Sequence, residues 1–390
     1  MSEATARQGE RPRLRFDRHE LAGAFGDLGT DLPLLLGMIL SANLHAASVL
    51  VMFGGLQIWT GLWYRLPMPV QPLKAMAAIV IAREVSGSTL QGGGLAVGLM
   101  MLALSATGAL DALGRRVPKA VVRGVQVGLG LQLASVAMSR FVLADGWPGY
   151  VVAAVSFVLV VVLSGNRRIP AALPVVLLGI TYAGIFHVDW RAVGGAGLEF
   201  PRPHWVGWED VAMGALVLAL PQLPLSVANS VLATQQLVTD LFPERKVTAH
   251  QIGLTYSFMN LIAPWFGGVP VCHGSGGLAG HYVFGGRTGG SVVLYGSLFV
   301  IAGVFWGAGF EHLAKAFPLP VLGVLLLFES LALMARLGDL VGAPGALVTA
   351  LLVAVTCALL PYGYVVGMIV GTVLVWRGWQ PAWARPRRDD

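Results

Sequence analysis

The sequence predicts an all-α polytopic membrane protein with about fourteen transmembrane segments. Hydrophobic residues make up 56% of its 390 residues and charged residues only 12%, and the mean hydropathy is +0.72. Soluble domains carry about 25% charged residues, so this chain has too few to cover a soluble globule of its size. Apolar stretches separated by glycine, proline or charge recur along the whole chain, and most are long enough to cross a bilayer.

The charged residues indicate how these segments are oriented. Residues 1–19 are polar and rich in arginine and lack the apolar stretch of a secretory signal, so they predict a cytoplasmic N-terminal tail. Most of the 26 lysines and arginines fall on that same side of an even number of segments. We therefore predict a multi-pass protein of the cell membrane, with the lipid bilayer as its partner and both termini cytoplasmic. The net charge of +6 follows from this topology and does not indicate nucleic-acid binding.

One long connection divides the chain into two halves. Residues 188–209 are predicted to form an extracellular or periplasmic connection between segments 1–7, in residues 20–187, and segments 8–14, in residues 210–377. Residues 378–390 form a second cytoplasmic tail. Seven segments per half force the halves into opposite orientations. Similar halves would therefore form a seven-plus-seven inverted repeat, which is a recurring plan of secondary transporters.

The third and tenth segments, at 70–83 and 271–283, are too short to cross a hydrocarbon core of about 30 Å as complete helices. Each begins at a Pro-Val dipeptide, at Pro69 and at Pro270, and runs into small residues. A helix that begins inside the membrane directs free backbone N–H groups and the positive end of its dipole at whatever lies in front of it. Two such short half-helices at matching positions of two halves predict the anion-binding site of a transporter.

Polar residues in and beside the half-helices are the candidate substrate ligands. Side-chain donors would bind an oxyanion, Lys74 would supply positive charge, and glycines would let the anion approach the backbone. The candidates are Gln71, Lys74, Gln222, Asn229, His273, Gly274, Ser275 and Gly276. Other roles remain open: Lys74 could snorkel or pair with a carboxylate, and Gln222, Asn229 and His273 could form hydrogen bonds between helices.

The first segment contains two acidic residues, Asp27 and Asp31, four positions apart on one helix face. An ionisable group inside a membrane is costly and is by default functional, so both are candidates for carrying a coupling proton. Alternatively, Asp27 braces a glycine-rich bend, Lys74 pairs with one of the two carboxylates, or both carboxylates are hydrated at the cytoplasmic surface.

No catalytic, metal or cofactor site is predicted. Cys272 and Cys357 lie in apolar surroundings without a metal-binding or disulfide pattern. An intramembrane enzyme built on Cys272 and His273 is disfavoured because adjacent side chains on a helix point about 100° apart. The run Gly274-Ser275-Gly276-Gly277 lacks the Gly-Lys-Ser/Thr ending of a nucleotide-binding loop.

Four motifs carry a family resemblance. They are Phe25-Gly26-Asp27-Leu28-Gly29-Thr30, Met68-Pro69-Val70-Gln71-Pro72-Leu73-Lys74-Ala75, Pro221-Gln222-Leu223-Pro224-Leu225 with Asn229-Ser230, and Pro270-Val271-Cys272-His273-Gly274-Ser275-Gly276-Gly277-Leu278-Ala279-Gly280 continuing to Phe284-Gly285-Gly286-Arg287. With these motifs the chain resembles the molybdate transporter branch of the sulfate permease superfamily over about residues 20–377. The resemblance implies a core domain of segments 1–4 and 8–11 and a gate domain of segments 5–7 and 12–14. It also implies that the substrate lies between the N-termini of half-helices 3 and 10. Asp31 departs from the expected pattern.

The predicted function is therefore secondary active import of a tetrahedral oxyanion, with molybdate first. The alternatives are a sulfate transporter of the same fold, then a nucleobase or bicarbonate transporter, and last an intramembrane enzyme or a receptor. Nucleobase transporters of this architecture are expected to offer acidic side chains in segments 8 and 10, and this chain has none there. A co-transported proton and a homodimer are further expectations.

Overall fold

The structure is a computed structural model, and the residues that it describes are 13–116, 118–166, 169–188 and 198–379. The predicted tails at 1–19 and 378–390 and the predicted connection at 188–209 lie partly outside these residues. The division of the chain at that connection stays a prediction.

The described residues form eighteen α-helices and one two-stranded sheet. The helices before the predicted connection are α1 (Arg18–Ala24), α2 (Leu28–Ser41), α3 (Ala46–Tyr64), α4 (Lys74–Arg83), α5 (Gly87–Ala106), α6 (Ala109–Arg116), α7 (Lys119–Val136), α8 (Gly146–Leu163) and α9 (Ala172–Phe186). Those after it are α10 (Trp208–Gly214), α11 (Leu220–Leu225), α12 (Ala233–Leu241), α13 (Ala249–Ile262), α14 (Ser275–Val283), α15 (Gly290–Ala316), α16 (Leu319–Ala335), α17 (Pro344–Leu359) and α18 (Gly363–Trp376). The strands are β1 (Gln71–Pro72) and β2 (Val271–Cys272).

Short irregular helical turns extend several of these helices. Two π-helical turns, Ala215–Ala219 and Ser226–Leu232, join α10, α11 and α12 into one run of 34 residues. The second of these turns follows Pro221 and Pro224, and proline removes a backbone donor from the helical ladder. The polar residues of segment 8 therefore lie on a distorted helix and not on a regular one.

Among the described residues, six helices are long and apolar enough to cross a membrane. They are Ala46–Tyr64, Gly87–Ala106, Lys119–Phe141, Gly146–Leu163, Trp208–Leu241 and Leu319–Leu340. The pair α1 and α2, bent by 43°, would add a seventh as one broken span. Shorter apolar helices follow at Ala172–Phe186, Gly290–Phe305, Pro344–Leu359 and Gly363–Trp376. This helical architecture confirms the prediction of an all-α polytopic membrane protein, whereas the number of fourteen segments stays a prediction.

The two shortened segments meet at their breaks. α4 has 10 residues and α14 has 9, so at 1.5 Å per residue each spans only about half of a hydrocarbon core. β1 and β2, which precede them, pair antiparallel with Gln71 opposite Cys272 and Pro72 opposite Val271. The backbone N–H of Leu73 also donates to Pro270 O at 3.1 Å. Because these bonds join the starts of both half-helices, α4 and α14 begin next to each other.

Helices α3 and α15 pack with their backbones in contact. A Cβ atom on Gly54 would lie less than 3.0 Å from the carbonyl oxygen of Gly296, and one on Gly61 would lie 2.7 Å from that of Gly289. The two glycines on each side of this contact are seven residues apart, with Gly289 at the N-cap of α15, and therefore lie on one face, two turns apart. Small residues at such spacing allow close helix packing, which drives association in membranes. This contact positions α3, whose C-terminal end leads into β1.

Replacing Gly54 with alanine should push α3 and α15 apart. Overpacking of a tight contact costs about 1–3 kcal/mol, so we expect Gly54→Ala to lower the midpoint of thermal unfolding in detergent. Gly55 is exposed and has no atom within 4 Å of a built Cβ, which makes Gly55→Ala the matched control. That control should leave the midpoint unchanged or raise it. Equal midpoints for the two variants would contradict the close contact.

Candidate functional site

An amide side chain from the preceding helix holds each break in place. Gln57 of α3 donates from Nε2 to Val70 O at 2.7 Å and accepts from Val70 N–H at 2.9 Å. Asn260 of α13 forms the same pair of bonds with Val271, at 2.6 and 2.9 Å. An amide offers one donor and one acceptor, as a neighbouring strand would. The two amides therefore satisfy the outer edges of a two-stranded sheet that the membrane would otherwise leave unpaired.

A cavity of about 70 Å³ lies where α4 and α14 begin. Many of the side chains that line it are polar or charged, and apolar residues of α11 and α16 form part of the wall. The lining residues are Gln71, Lys74, Gln126, Gln222, Leu225, Asn229, Ser230, Cys272, Gly276, Glu329, Ala332, Leu333 and Arg336. Five of the eight predicted ligands, namely Gln71, Lys74, Gln222, Asn229 and Gly276, thus share one cavity.

Lys74 is bound by a carboxylate that the sequence analysis did not single out. Its Nζ lies 2.6 Å from Oε1 of Glu329, on α16, and the hydroxyl of Thr30 donates to the other carboxylate oxygen at 3.2 Å. Lys74 therefore pairs with Glu329 and not with Asp27 or Asp31. The signal was present in the sequence, because Glu329 is the only acidic residue within the apolar stretch at 317–335.

Gln222 caps the half-helix α4. Its Oε1 accepts from the backbone N–H of Ala75 at 2.9 Å and, more weakly, from that of Met76 at 3.4 Å. Its Nε2 donates to Ser226 Oγ at 3.1 Å, and Ser226 in turn bonds Tyr256. The amide oxygen thus occupies helix N-terminal donors that were expected to meet the anion directly.

At the start of α14 the side chains leave room beside the backbone. Ser275 Oγ donates to Asn229 Oδ1 at 3.3 Å, and Gly276 borders the cavity. A Cβ on Gly274 would overlap the side-chain amide of Gln71. Any larger residue at position 274 would therefore displace Gln71 from the cavity.

His273 lies outside the cavity and joins the two breaks to α13. The ring is fully buried, with Nδ1 3.0 Å from Pro69 O and Nε2 2.8 Å from the hydroxyl of Thr255. Since a carbonyl can only accept, Nδ1 carries a proton, and Nε2 forms its hydrogen bond with the hydroxyl of Thr255. Both ring nitrogens are therefore used within the protein, and the arrangement matches the alternative in which His273 joins helices.

Both aspartates of the first segment are buried. Asp27 lies at the break between α1 and α2, and Gln71 Nε2 donates to its two oxygens at 2.6 and 2.7 Å. Asp31, one turn later, is wholly buried next to Tyr295 of α15. The alternative in which both carboxylates are hydrated at the membrane surface is wrong for this conformation. Asp27 instead joins the break between α1 and α2 to Gln71 of β1, and through Gln71 it contacts the wall of the cavity.

Known proteins are similar to this chain in sequence and in fold. The family model described as "Molybdate transporter of MFS superfamily" matches residues 19–133 and 214–333. Molybdate transporter 2 of Arabidopsis thaliana is 36% identical over 364 residues, covering 80% of this chain and 77% of its own. The chain belongs to the molybdate transporter family. Molybdate transporter 1 of Chlamydomonas reinhardtii is 28% identical, covering 80% of this chain and 82% of its own.

Solved structures identify the fold of this family member. The transmembrane domain of the cyanobacterial bicarbonate transporter BicA aligns with a TM-score of 0.67 at 14% identity, over 93% of this chain and 98% of its own. The murine solute carrier 26 family member A9 anion transporter aligns with a TM-score of 0.68 at 14% identity, over 94% of this chain and 69% of its own. The resemblance to molybdate transporters that the motifs predicted is confirmed, as is the prediction of a membrane transporter and not an enzyme.

The side-chain amides of Gln57 and Asn260 should contribute strongly to the stability of the folded protein. Asn260→Leu leaves the N–H and C=O of Val271 without partners, and each buried unpaired group costs about 1–3 kcal/mol. We expect this variant to lower the thermal midpoint in detergent clearly. The control is Gln91→Leu, because the amide oxygen of Gln91 is buried without a partner among the described residues. A midpoint for Asn260→Leu no lower than that of the control would contradict the role of Asn260 in pairing the backbone of Val271.

Proposed function

We propose that the protein is a secondary active transporter that imports molybdate, bound between the N-terminal ends of α4 and α14. The observation that supports this most is the polar cavity at the meeting point of the two half-helices. The names of the family and of its relatives favour molybdate as the anion. We place the protein in the cell membrane with both termini cytoplasmic, and a homodimer remains an expectation from the sequence.

The cavity suits a multiply charged oxyanion in its chemistry. Each helix N-terminus contributes about half a positive charge, so the two ends supply about one charge to a dianion. Lys74 and Arg336 add two cations to the wall, and Glu329 offsets one of them. Side-chain amides and backbone N–H groups can bind several oxygens at once, which suits a tetrahedral anion better than a spherical one.

The predicted ligands divide into two roles in this proposal. Gln71, Asn229, Gly276 and Lys74 contact the anion from the cavity wall, with Ser275 behind Asn229. Three residues position the site: Gln222 caps α4, His273 joins the two breaks to α13, and Gly274 leaves space for Gln71. The sequence alone predicted all eight as candidate ligands and left other roles open for Lys74, Gln222, Asn229 and His273.

Asp27 is the proposed carrier of a co-transported proton. Its carboxylate is buried and bonded to Gln71, so protonation of Asp27 and occupation of the cavity both act on the same amide. A proton bound there reduces the negative charge beside an incoming dianion. Asp31 lies behind Asp27 and is the second candidate.

Removal of cavity amides should weaken uptake of molybdate into proteoliposomes. A hydrogen bond to a charged group contributes about 1.5–3 kcal/mol, so Gln71→Ala and Asn229→Ala should each reduce affinity roughly tenfold to a hundredfold. Gln236, an exposed amide further along the same helical run, provides the control variant Gln236→Ala. Wild-type uptake in both cavity variants would contradict the site. Sulfate and tungstate compared in the same assay would rank the competing dianions.

Proton coupling should depend on Asp27. In wild-type protein we expect a more acidic outside solution to accelerate molybdate uptake. Asp27→Asn keeps an acceptor for Gln71 but cannot exchange a proton, so it should lose this response while still exchanging molybdate across the bilayer at equal pH. The control is Asp240→Asn, at an exposed carboxylate bonded to Gln236. An unchanged response to the pH gradient in Asp27→Asn would exclude Asp27 as the carrier.

A further inference from the structure

The carboxylate of Glu329 lies in the cavity where an anion is expected. One oxygen is 2.6 Å from the ammonium of Lys74 and the other accepts from Thr30 at 3.2 Å. The side chain is only 7% exposed. A carboxylate presents two oxygens and one negative charge to its donors, which is the same chemistry as one edge of a tetrahedral oxyanion.

The charges around Glu329 make it a competitor and not only a partner. The charged and titratable groups near it are Lys74, Arg336, Asp27, Asp31 and Cys272. While Glu329 holds Lys74, that cation is already neutralised. Glu329 repels a dianion that enters the cavity about twice as strongly as it repels a monoanion, because the interaction energy scales with the charge of the ligand.

The pair also joins elements that come from different parts of the chain. Lys74 begins the half-helix α4, whereas Glu329 belongs to α16, which packs against α2, α7 and α8. In the division implied by the family resemblance, α4 is part of the core domain and α16 is part of the gate domain. An ion pair across that boundary favours the empty conformation until an anion replaces one partner.

We propose that Glu329 acts as a built-in substitute for the substrate, which holds Lys74 in the empty transporter and is displaced from it when the dianion binds. This inference rests on the proposed function, since it concerns the same cavity. It makes Glu329 a determinant of affinity. The carboxylate lowers the affinity for the anion and so sets how readily the bound anion is released.

Binding titrations on purified full-length protein test this role. The variant Glu329→Gln keeps the size of the side chain and removes its charge, so it should bind molybdate at least roughly tenfold more tightly. Perrhenate, a tetrahedral oxyanion with a single negative charge, separates charge from shape. The gain in the logarithm of affinity should be roughly twice as large for molybdate as for perrhenate. Asp339→Asn is the control, because Asp339 follows α16, pairs with Arg123 and does not line the cavity.

The possible outcomes separate this inference from the proposed function. If wild-type protein binds none of the three anions molybdate, tungstate and sulfate, both the inference about Glu329 and the proposed function are overturned. Wild-type binding together with unchanged or weaker binding by Glu329→Gln, or with equal gains for molybdate and perrhenate, would overturn the role of Glu329 alone. Thr30→Val removes one donor from the carboxylate and should give a smaller gain of the same kind. It provides the test if Glu329→Gln does not yield folded protein, and no gain in that variant would then count against the proposal.

Discussion

The architecture depends on how two broken helices satisfy their backbone hydrogen bonds inside a membrane. Hydrocarbon offers no partners for free N–H and C=O groups, so a break at membrane depth persists only where protein supplies them. Here the breaks pair with each other through β1 and β2, and Gln57 and Asn260 complete the outer edges. The same bonds align the two half-helices, so the requirement that stabilises the breaks also brings the starts of α4 and α14 to one cavity, where we propose that the anion binds.

Charge is the second constraint at this centre. Two helix ends favour an anion, yet the cavity wall holds Glu329 as well as Lys74 and Arg336. Asp27 and Asp31 are buried behind Gln71. Buried charges are costly unless they are paired or hydrogen-bonded. Gln71 satisfies Asp27, and Glu329 satisfies Lys74. In the proposed function an entering dianion rearranges these pairs, which would couple its binding to a proton and to movement of the helices.

Local patterns in the sequence were sufficient for the fold class and for the two breaks between which we propose the anion site. Three features can each be interpreted without knowing how the segments pack. They are the low charge content, the two Pro-Val breaks and the glycines after Pro270. Such patterns could not predict which residues of different segments form hydrogen bonds or ion pairs with each other. Glu329 lies 255 residues after Lys74 in the sequence, and only the packing of α16 brings them together. For the same reason His273 was given an open role, since its partners Pro69 and Thr255 come from other segments.

The most direct test of the central claim is to locate the bound anion itself. Crystals of the protein grown with molybdate would reveal the molybdenum atom by its anomalous scattering. We expect one strong peak in the cavity, with the anion oxygens within hydrogen-bonding distance of the Gln71 side chain and the backbone N–H of Gly276. A peak in another part of the protein, or an empty cavity at saturating molybdate, would contradict the assignment of the site to the junction of α4 and α14.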